Sequence, residues 1–476
     1  MSLIVALFFA MSAAGLAGVQ PADLLHDPTP EEWKSLEKYS GSLTRAEFEE
    51  RLNDVFDPTG SLYPFLKITD QSVQVLSATN PATPVATVLF APEPLSVKEL
   101  LPLPNSSPVI SSRDFSTVSS APSPESESLR EAFFSLFSSS PTPSPSPSGS
   151  AHPSQVAVAP GVVPSSAGKQ PLGGLRVVID PADIGGAWGS MEDRSTVYPG
   201  FGLIQEGDLN LLVSKILAAQ LKLLGAQVFV IRDTAQPVCG LTVPEVEQVV
   251  PQVLAHRSYL LSKTFRSRTT NVRVSSPIYQ RITAEVLLTK NLEARARAEK
   301  ARQAMTPDIT VVLQFDATSG RHLGSMPRIN RNILFVSGAY TAGEIKSDPR
   351  ERLKLLTKLF QNVSPLEIRA ALGIARHLAE LTGFPPVLYG NGRTTLSIAG
   401  NPYVVARNLL LSREHDGPVV VTEPYFMNQP ETLQRLLAGD YDGTRLIAGK
   451  QRISIFREYA EAVASGLVDV YGNANK

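Results

Sequence analysis

Four segments in about the last 300 residues of this chain are apolar almost without a break: LRVVID from Leu175, AQVFVIRD from Ala226, DITVVLQFD from Asp308 and GPVVVTEPYF from Gly417. A strand that is apolar on both faces needs helices over both, which is the arrangement of a mainly parallel sheet. Helical sequence lies between these segments. Leu209, Leu212, Val213, Ile216, Leu217, Leu221 and Leu224 recur at helical spacing before Gly225, a residue suited to ending a helix. A basic, alanine-rich helical stretch ends near NLEARARAEKARQAM. Ser364-Pro365-Leu366-Glu367 reads as a capping box with proline in the first turn, opening a helix to about Leu381. SIFREYAEAVASGLVDVY supplies the last helix. The expected fold class is therefore α/β, with a mainly parallel sheet and helices on both faces, over residues 175–476.

The chain has 476 residues, more than one such domain needs. Residues 24–101 have globular composition. TPEEWKSLEKY and TRAEFEERLNDVF read as short helices capped by Thr29 and Thr44, and FLKITDQSVQVLS and PVATVLF read as strands. Together they predict a small α+β N-terminal unit. Residues 104–173 are dominated by serine and proline, as in SSSPTPSPSPSGSAHPS. Such sequence buries too little apolar surface to offset chain entropy and reads as a disordered linker, with LREAFFSLF as a brief helical stretch inside it. Residues 1–20 join the apolar run LIVALFFAM to the small residues SAAGLAG, the pattern of a signal peptide, and the run is short for a membrane span. A formal net charge of −1 offers no electrostatic case for nucleic acid. The single cysteine, Cys239, excludes a disulfide framework and a thiolate metal cluster.

Sites in open α/β sheets form at the carboxyl ends of the strands. Those ends supply Asp180 and Asp183, then Gln314 and Asp316, then Glu423, and a loop before the Leu209 helix brings Glu206 to the same edge. Gathered acids repel one another unless they share a cation, a proton or a basic partner.

In this order the segments resemble the zinc-dependent N-acetylmuramoyl-L-alanine amidases, which cleave peptidoglycan between the lactyl group and the stem peptide. In that family a strand ends in a DPGHGG-type or DPGHIGG-type motif, and Asp180-Pro181-Ala182-Asp183-Ile184-Gly185-Gly186 fits the frame. An acidic ligand precedes an amphipathic helix, as in Glu206-Gly207-Asp208-Leu209-Asn210-Leu211, and a strand with arginine follows, as in Val230-Ile231-Arg232-Asp233. A motif like LHFNA is matched by Leu313-Gln314-Phe315-Asp316-Ala317, and a glutamate closing the last strand by Glu423-Pro424-Tyr425-Phe426-Met427-Asn428. The resemblance implies metal-ligand positions at Asp183, Glu206 and Gln314, and a catalytic glutamate at Glu423. The family's ligands are His, Glu and His, so both histidines are replaced here. His26 and His152 lie outside the domain, while His256, His322, His377 and His415 fall off the strand ends, His415 at the opposite end of its strand. Arg393, Arg407 and Asn428 are expected at the rim, facing a carboxylate-bearing stem peptide, with Trp188, Glu192 and Arg194 shaping the mouth.

The substitutions alter the chemistry that the resemblance implies. Zinc prefers imidazole and thiolate, whereas Asp, Glu and a Gln oxygen form a hard set suited to magnesium, calcium or manganese. A zinc cofactor is therefore expected to be weak or absent. The expected function is that of an exported bacterial cell-wall protein, in the periplasm or envelope, which binds or acts on peptidoglycan with lost or weakened amide hydrolysis. Two alternatives stay open: an active amidase with an unusual Asp/Glu/Gln metal site, and an unrelated α/β hydrolase using an oxygen-ligated divalent cation. The N-terminal unit is a candidate docking module for an envelope protein partner.

Overall fold

The structure is a computed structural model and describes residues 19–78, 83–93, 170–256, 272–273, 276–318, 326–389, 394–398 and 400–472. Residues 1–18 of the expected signal peptide (1–20), nearly all of the expected serine-proline linker and its LREAFFSLF stretch lie outside the described residues. The linker ends earlier than expected. Residues 170–173 belong to the folded part, where Leu172 is buried and its amide donates to the Leu224 carbonyl at 2.9 Å.

The N-terminal residues form a three-stranded antiparallel sheet, β1 (Leu66–Ile68), β2 (Ser72–Leu76) and β3 (Pro84–Leu89), with short helices at Pro30–Lys34 and Arg45–Arg51. Thr29 and Thr44 cap those helices in reciprocal boxes with Glu32 and Glu47. This segment does not stand apart as a unit of its own. Phe48 stacks on Phe360 with ring centroids 5.5 Å apart, and its apolar residues share one core with the larger sheet. The carbonyls of Val55 and Phe56 accept from the amides of Ala339 and Tyr340 at 2.7 and 2.8 Å. Gly338 permits that approach, since a Cβ there would lie 2.4 Å from the Val55 carbonyl oxygen.

The larger sheet has seven strands, built from β4 (Arg176–Pro181), β7 (Gln227–Val230), β8 (Ile309–Leu313), β9 (Asn332–Val336), β10 (Thr395–Ile398), β11 (Asn401–Arg407) and β12 (Val419–Pro424) in the order β10-β11-β9-β12-β8-β4-β7. The run from β12 through β8 and β4 to β7 is parallel, as is β11–β9, while β9 meets β12 and β10 meets β11 antiparallel. Strands β8 and β9 are buried at every position, as strands covered on both faces must be. Helices Glu206–Leu223, Ser364–Thr382 and Ile455–Tyr471 pack together, and Gly373 and Gly466 let the last two touch: a Cβ on Gly373 would lie 2.8 Å from the Gly466 carbonyl oxygen. Strands β9 to β11 and two hairpins, β5 (Ser195–Tyr198) with β6 (Gly202–Gln205) and β13 (Arg445–Ile447) with β14 (Lys450–Arg452), have no counterpart in the sequence reading.

The capping box expected at Ser364 does not form. The helix does run from Ser364 to Thr382 with proline in its first turn. Glu367, however, is fully buried and turns to the sheet, where it accepts from the Val419 amide at 2.8 Å and from the amide and hydroxyl of Ser337 at 2.8 and 2.9 Å. Two sheet amides that would otherwise be orphaned outbid the local turn for its carboxylate.

Candidate active site

The loop after β4 is held from four sides. Arg232 is buried and donates to the carbonyls of Pro181 and Ile184, both at 2.9 Å, while Asn210 donates to the Ala182 carbonyl at 2.7 Å. Glu192 accepts from the amides of Ile184 and Gly185 at 2.7 and 3.3 Å, and Asp208 accepts from the Gly186 amide at 3.0 Å. The loop crosses the start of the Glu206 helix so closely that a Cβ on Gly207 would sit 2.3 Å from the Gly185 nitrogen. That contact explains why glycine occupies both places. Asp183 is forced to a φ of 55°, a left-handed conformation costly for a residue with a Cβ, and the surrounding hydrogen bonds hold it there.

Asp183 lies 7 % exposed, and Glu206 at the head of its helix 1 %. Between them stands Arg194, with Nε 3.6 Å from an Asp183 oxygen and a terminal nitrogen 3.5 Å from Glu206. Lys290 reaches the same Asp183 oxygen at 3.1 Å. It sits on a π-helical turn, Leu287–Leu292, a widened turn that recurs at functional sites and re-aims side chains. Asp183, Arg194, Lys290 and Gln314 line a cavity of about 390 Å³, with Arg297 and Arg413 also in its wall.

Charge in this enclosure is tightly balanced. Burial works against ionisation of Asp183, but Lys290 and Arg194 overturn it and hold the carboxyl well below its usual range. Burial and the neighbouring Asp183 charge push Glu192 up to about 7 and drive Glu206 well above the ordinary carboxylate range. Glu423, at the end of β12, is pushed up to about 8 by burial and by Asp316, against the pull of Arg407 and Arg194. Burial also raises Asp316. A carboxyl raised toward neutral pH in this way can take up or give a proton there, which is the tuning that general acid-base chemistry requires.

Asp180 takes no part in this edge. It is fully buried beneath Arg297 at 3.2 Å and His415 at 2.9 Å, with Arg297 anchored in turn by Glu293 at 2.8 Å. Burial alone would raise its carboxyl, yet these partners hold it below the usual range. The helix Leu410–Glu414 folds His415 back over the sheet, so this residue meets β4 rather than lying remote from it. Asn428 is a second correction. It is fully buried and its amide is spent on Thr318, accepting from the backbone amide at 3.1 Å and donating to the carbonyl at 2.8 Å, so it does not face a ligand. Trp188 is half-buried and packs against an apolar cluster that holds Leu24, Val250 and Leu287. Arg407 lies 5.0 Å over the Phe335 ring and acts electrostatically on Glu423. Arg393 and His322 lie outside the described residues.

The residues present do not suit zinc. A catalytic zinc site takes three protein donors and an open position. Among the described residues no three His, Cys, Asp or Glu side chains are placed to hold a metal ion. Asp183 and Glu206 each keep one buried oxygen with no hydrogen-bond partner, but the basic groups of Arg194 and Lys290 crowd their other contacts. Lys290 is the site residue that sequence reasoning missed. One lysine in a basic helical stretch carries no signal, and only the π turn aims it.

No family model matches the chain, and no curated protein does. Among solved structures the chain is similar to Cwp6 from Clostridium difficile at 13 % identity and TM-score 0.31, over 62 % of this chain and 29 % of that one. It therefore spans less than a third of that protein's length. It is also similar to the N-acetylmuramyl-L-alanine amidase Ami1 from Mycobacterium smegmatis at 15 % identity and TM-score 0.34, over 63 % of this chain and 99 % of that one. The CwlD amidase from Clostridioides difficile, solved in complex with the GerS lipoprotein, matches at 11 % identity and TM-score 0.33, over 63 % of this chain and all of that one. Likeness at this level leaves the functional reading to the chain's own residues.

Proposed function

We propose that this is an exported cell-wall protein of the N-acetylmuramoyl-L-alanine amidase type that binds peptidoglycan without zinc-dependent hydrolysis. The observation that carries the reading is the donor set. Asp183, Glu206 and Gln314 stand at the expected ligand positions, and the two acids are paired with Arg194 and Lys290 instead of converging on an ion. The cavity beside Asp183 joins cationic and acidic walls and suits a peptide carrying both amine and carboxylate groups.

The test is a sacculus pull-down run beside a muropeptide digest. Retention on purified sacculi with no release of stem peptide is the expected result. An active amidase with an oxygen-ligated metal is the competing reading. It predicts stem-peptide release that depends on added cation and disappears in Glu423→Ala, and that outcome would replace the binding reading.

A further inference from the structure

We infer that Arg194 and Lys290 are a built-in replacement for a divalent cation: the chain supplies from its own side chains the positive charge that the Asp183–Glu206 pair requires. Four observations meet at this point. Asp183 and Glu206 are 7 % and 1 % exposed, so an ionised carboxylate at either position needs a counter-charge. Arg194 contacts both, at 3.6 and 3.5 Å, which is the bridging position an ion shared by two carboxylates would take. Lys290 supplies the second positive charge, at 3.1 Å from Asp183, so the two basic groups bring the formal charge of a divalent ion. Each acid nevertheless keeps one buried oxygen without a hydrogen bond: both basic groups address Oδ1 of Asp183 and leave its Oδ2, and Arg194 stays 3.5 Å from Oε2 of Glu206.

The local backbone is arranged for this contact. Asp183 is held at a φ of 55°, and Lys290 is delivered by a π turn. Arg194 sits where β5 begins, and its carbonyl accepts from the Glu206 amide at 3.2 Å, so the hairpin of β5 and β6 starts and ends at this ion pair. Three irregular features converge on one cluster of charges, whereas chance surface pairing would leave the backbone regular. The arrangement also gives both acids a partner: Asp183 meets Lys290 and Arg194, and Glu206 meets Arg194, so no ion is required. The inference holds whether or not the cavity takes a stem peptide, so the metal experiment and the sacculus assay can fail separately.

The experiment is a divalent-cation titration of the full chain, read by calorimetry and by melting temperature. It uses wild type, Arg194→Met/Lys290→Met and Glu206→Gln, with about 1 mM Mn²⁺, Ca²⁺ or Zn²⁺, which saturates all but the weakest oxygen-ligated sites. Wild type is expected to bind no ion at this site and to show no shift. In metal-free buffer the double variant is expected to melt about 5 °C or more below wild type, and Mn²⁺ or Ca²⁺ is expected to restore most of that loss with one ion bound per chain. Wild type that binds one ion, with binding lost in Glu206→Gln, overturns the inference. So does a double variant with unchanged stability, or one whose loss no cation relieves. If the double variant does not fold, each single methionine variant is titrated the same way and a partial loss relieved by cation is the expected result.

Discussion

Single residues in this site act mainly through proton and charge balance, and the pH dependence of stability should expose it. Glu423 at about 8 and Glu192 at about 7 bind protons more tightly in the folded chain than in the unfolded one, where a glutamate titrates near 4.3. Their contribution is complete below pH ~4.3 and is lost as pH rises through 7 and 8. Asp180, Asp183 and Glu414, the last held at about 2, work in the opposite sense: their contribution is present at neutral pH and is lost in acid. Stability is therefore expected to peak in mildly acidic buffer. Glu423→Gln, which keeps the shape of the protonated acid, should flatten the decline on the alkaline side and melt above wild type at pH ~8.5. Melting curves across the pH range check this, and a variant with the wild-type profile would place Glu423 among ordinary ionised carboxylates. At Gly207 the expectation is steric. Alanine there brings a Cβ to 2.3 Å from the Gly185 nitrogen and should cost about 3 kcal/mol or more, measured by denaturant unfolding.

At the scale of elements, the loop after β4 is shaped by side chains distant in sequence, because its carbonyls point inward and require donors. Arg232 satisfies two of them from the end of β7, 48 and 51 residues away. Removing it in Arg232→Met leaves the Ile184 carbonyl unpaired and the Pro181 carbonyl with Arg297 alone at 3.3 Å, and frees the turn that carries Asp183. A loss of ~2–3 kcal/mol is expected, with faster amide exchange at Ile184 and Gly185 than elsewhere in the sheet. Uniform exchange across the domain would mean that the clamp is shared more widely than the hydrogen bonds imply.

Across the whole molecule, the N-terminal segment and the α/β domain share apolar contacts, so they are expected to melt as one. Phe48 is completely buried between Phe90 and Phe360. Phe48→Ala should cost about 3–5 kcal/mol and lower a single transition; a second, separate transition would show that the segment folds on its own. The Val55–Phe56 dock lies away from the Asp183 edge, whereas Leu24 of the same segment packs in one cluster with Leu287 and Leu288 of the π turn that carries Lys290. Val336 at the carboxyl end of β9 pairs with Val420 near the start of β12, whereas Glu423 pairs with Ile333, so Val55 and Phe56 meet the sheet at the end opposite Glu423. Its carbonyls at Asp23 and Leu24 are also held, by Arg350 and Arg295. A partner reaching the segment would therefore act on a rigid support of the sheet. No helix among the described residues is long and apolar enough to cross a membrane.

What the sequence determined by itself was local or periodic. Unbroken apolar runs announce covered strands, leucine spacing marks the Glu206 helix, threonine followed by glutamate marks two caps, and strand ends point to the cavity wall that Asp183 and Gln314 share. These features are encoded within a few residues, so they can be read from the chain. The tertiary structure alone decided which groups pair. Lys290 reaches Asp183 across 107 positions, His415 reaches Asp180 across 235, and Glu367 forsakes its own turn for a sheet amide 52 residues on. Burial makes an unpaired charge or amide expensive whatever its neighbours in sequence, so the partner is whichever group the packed fold brings within reach.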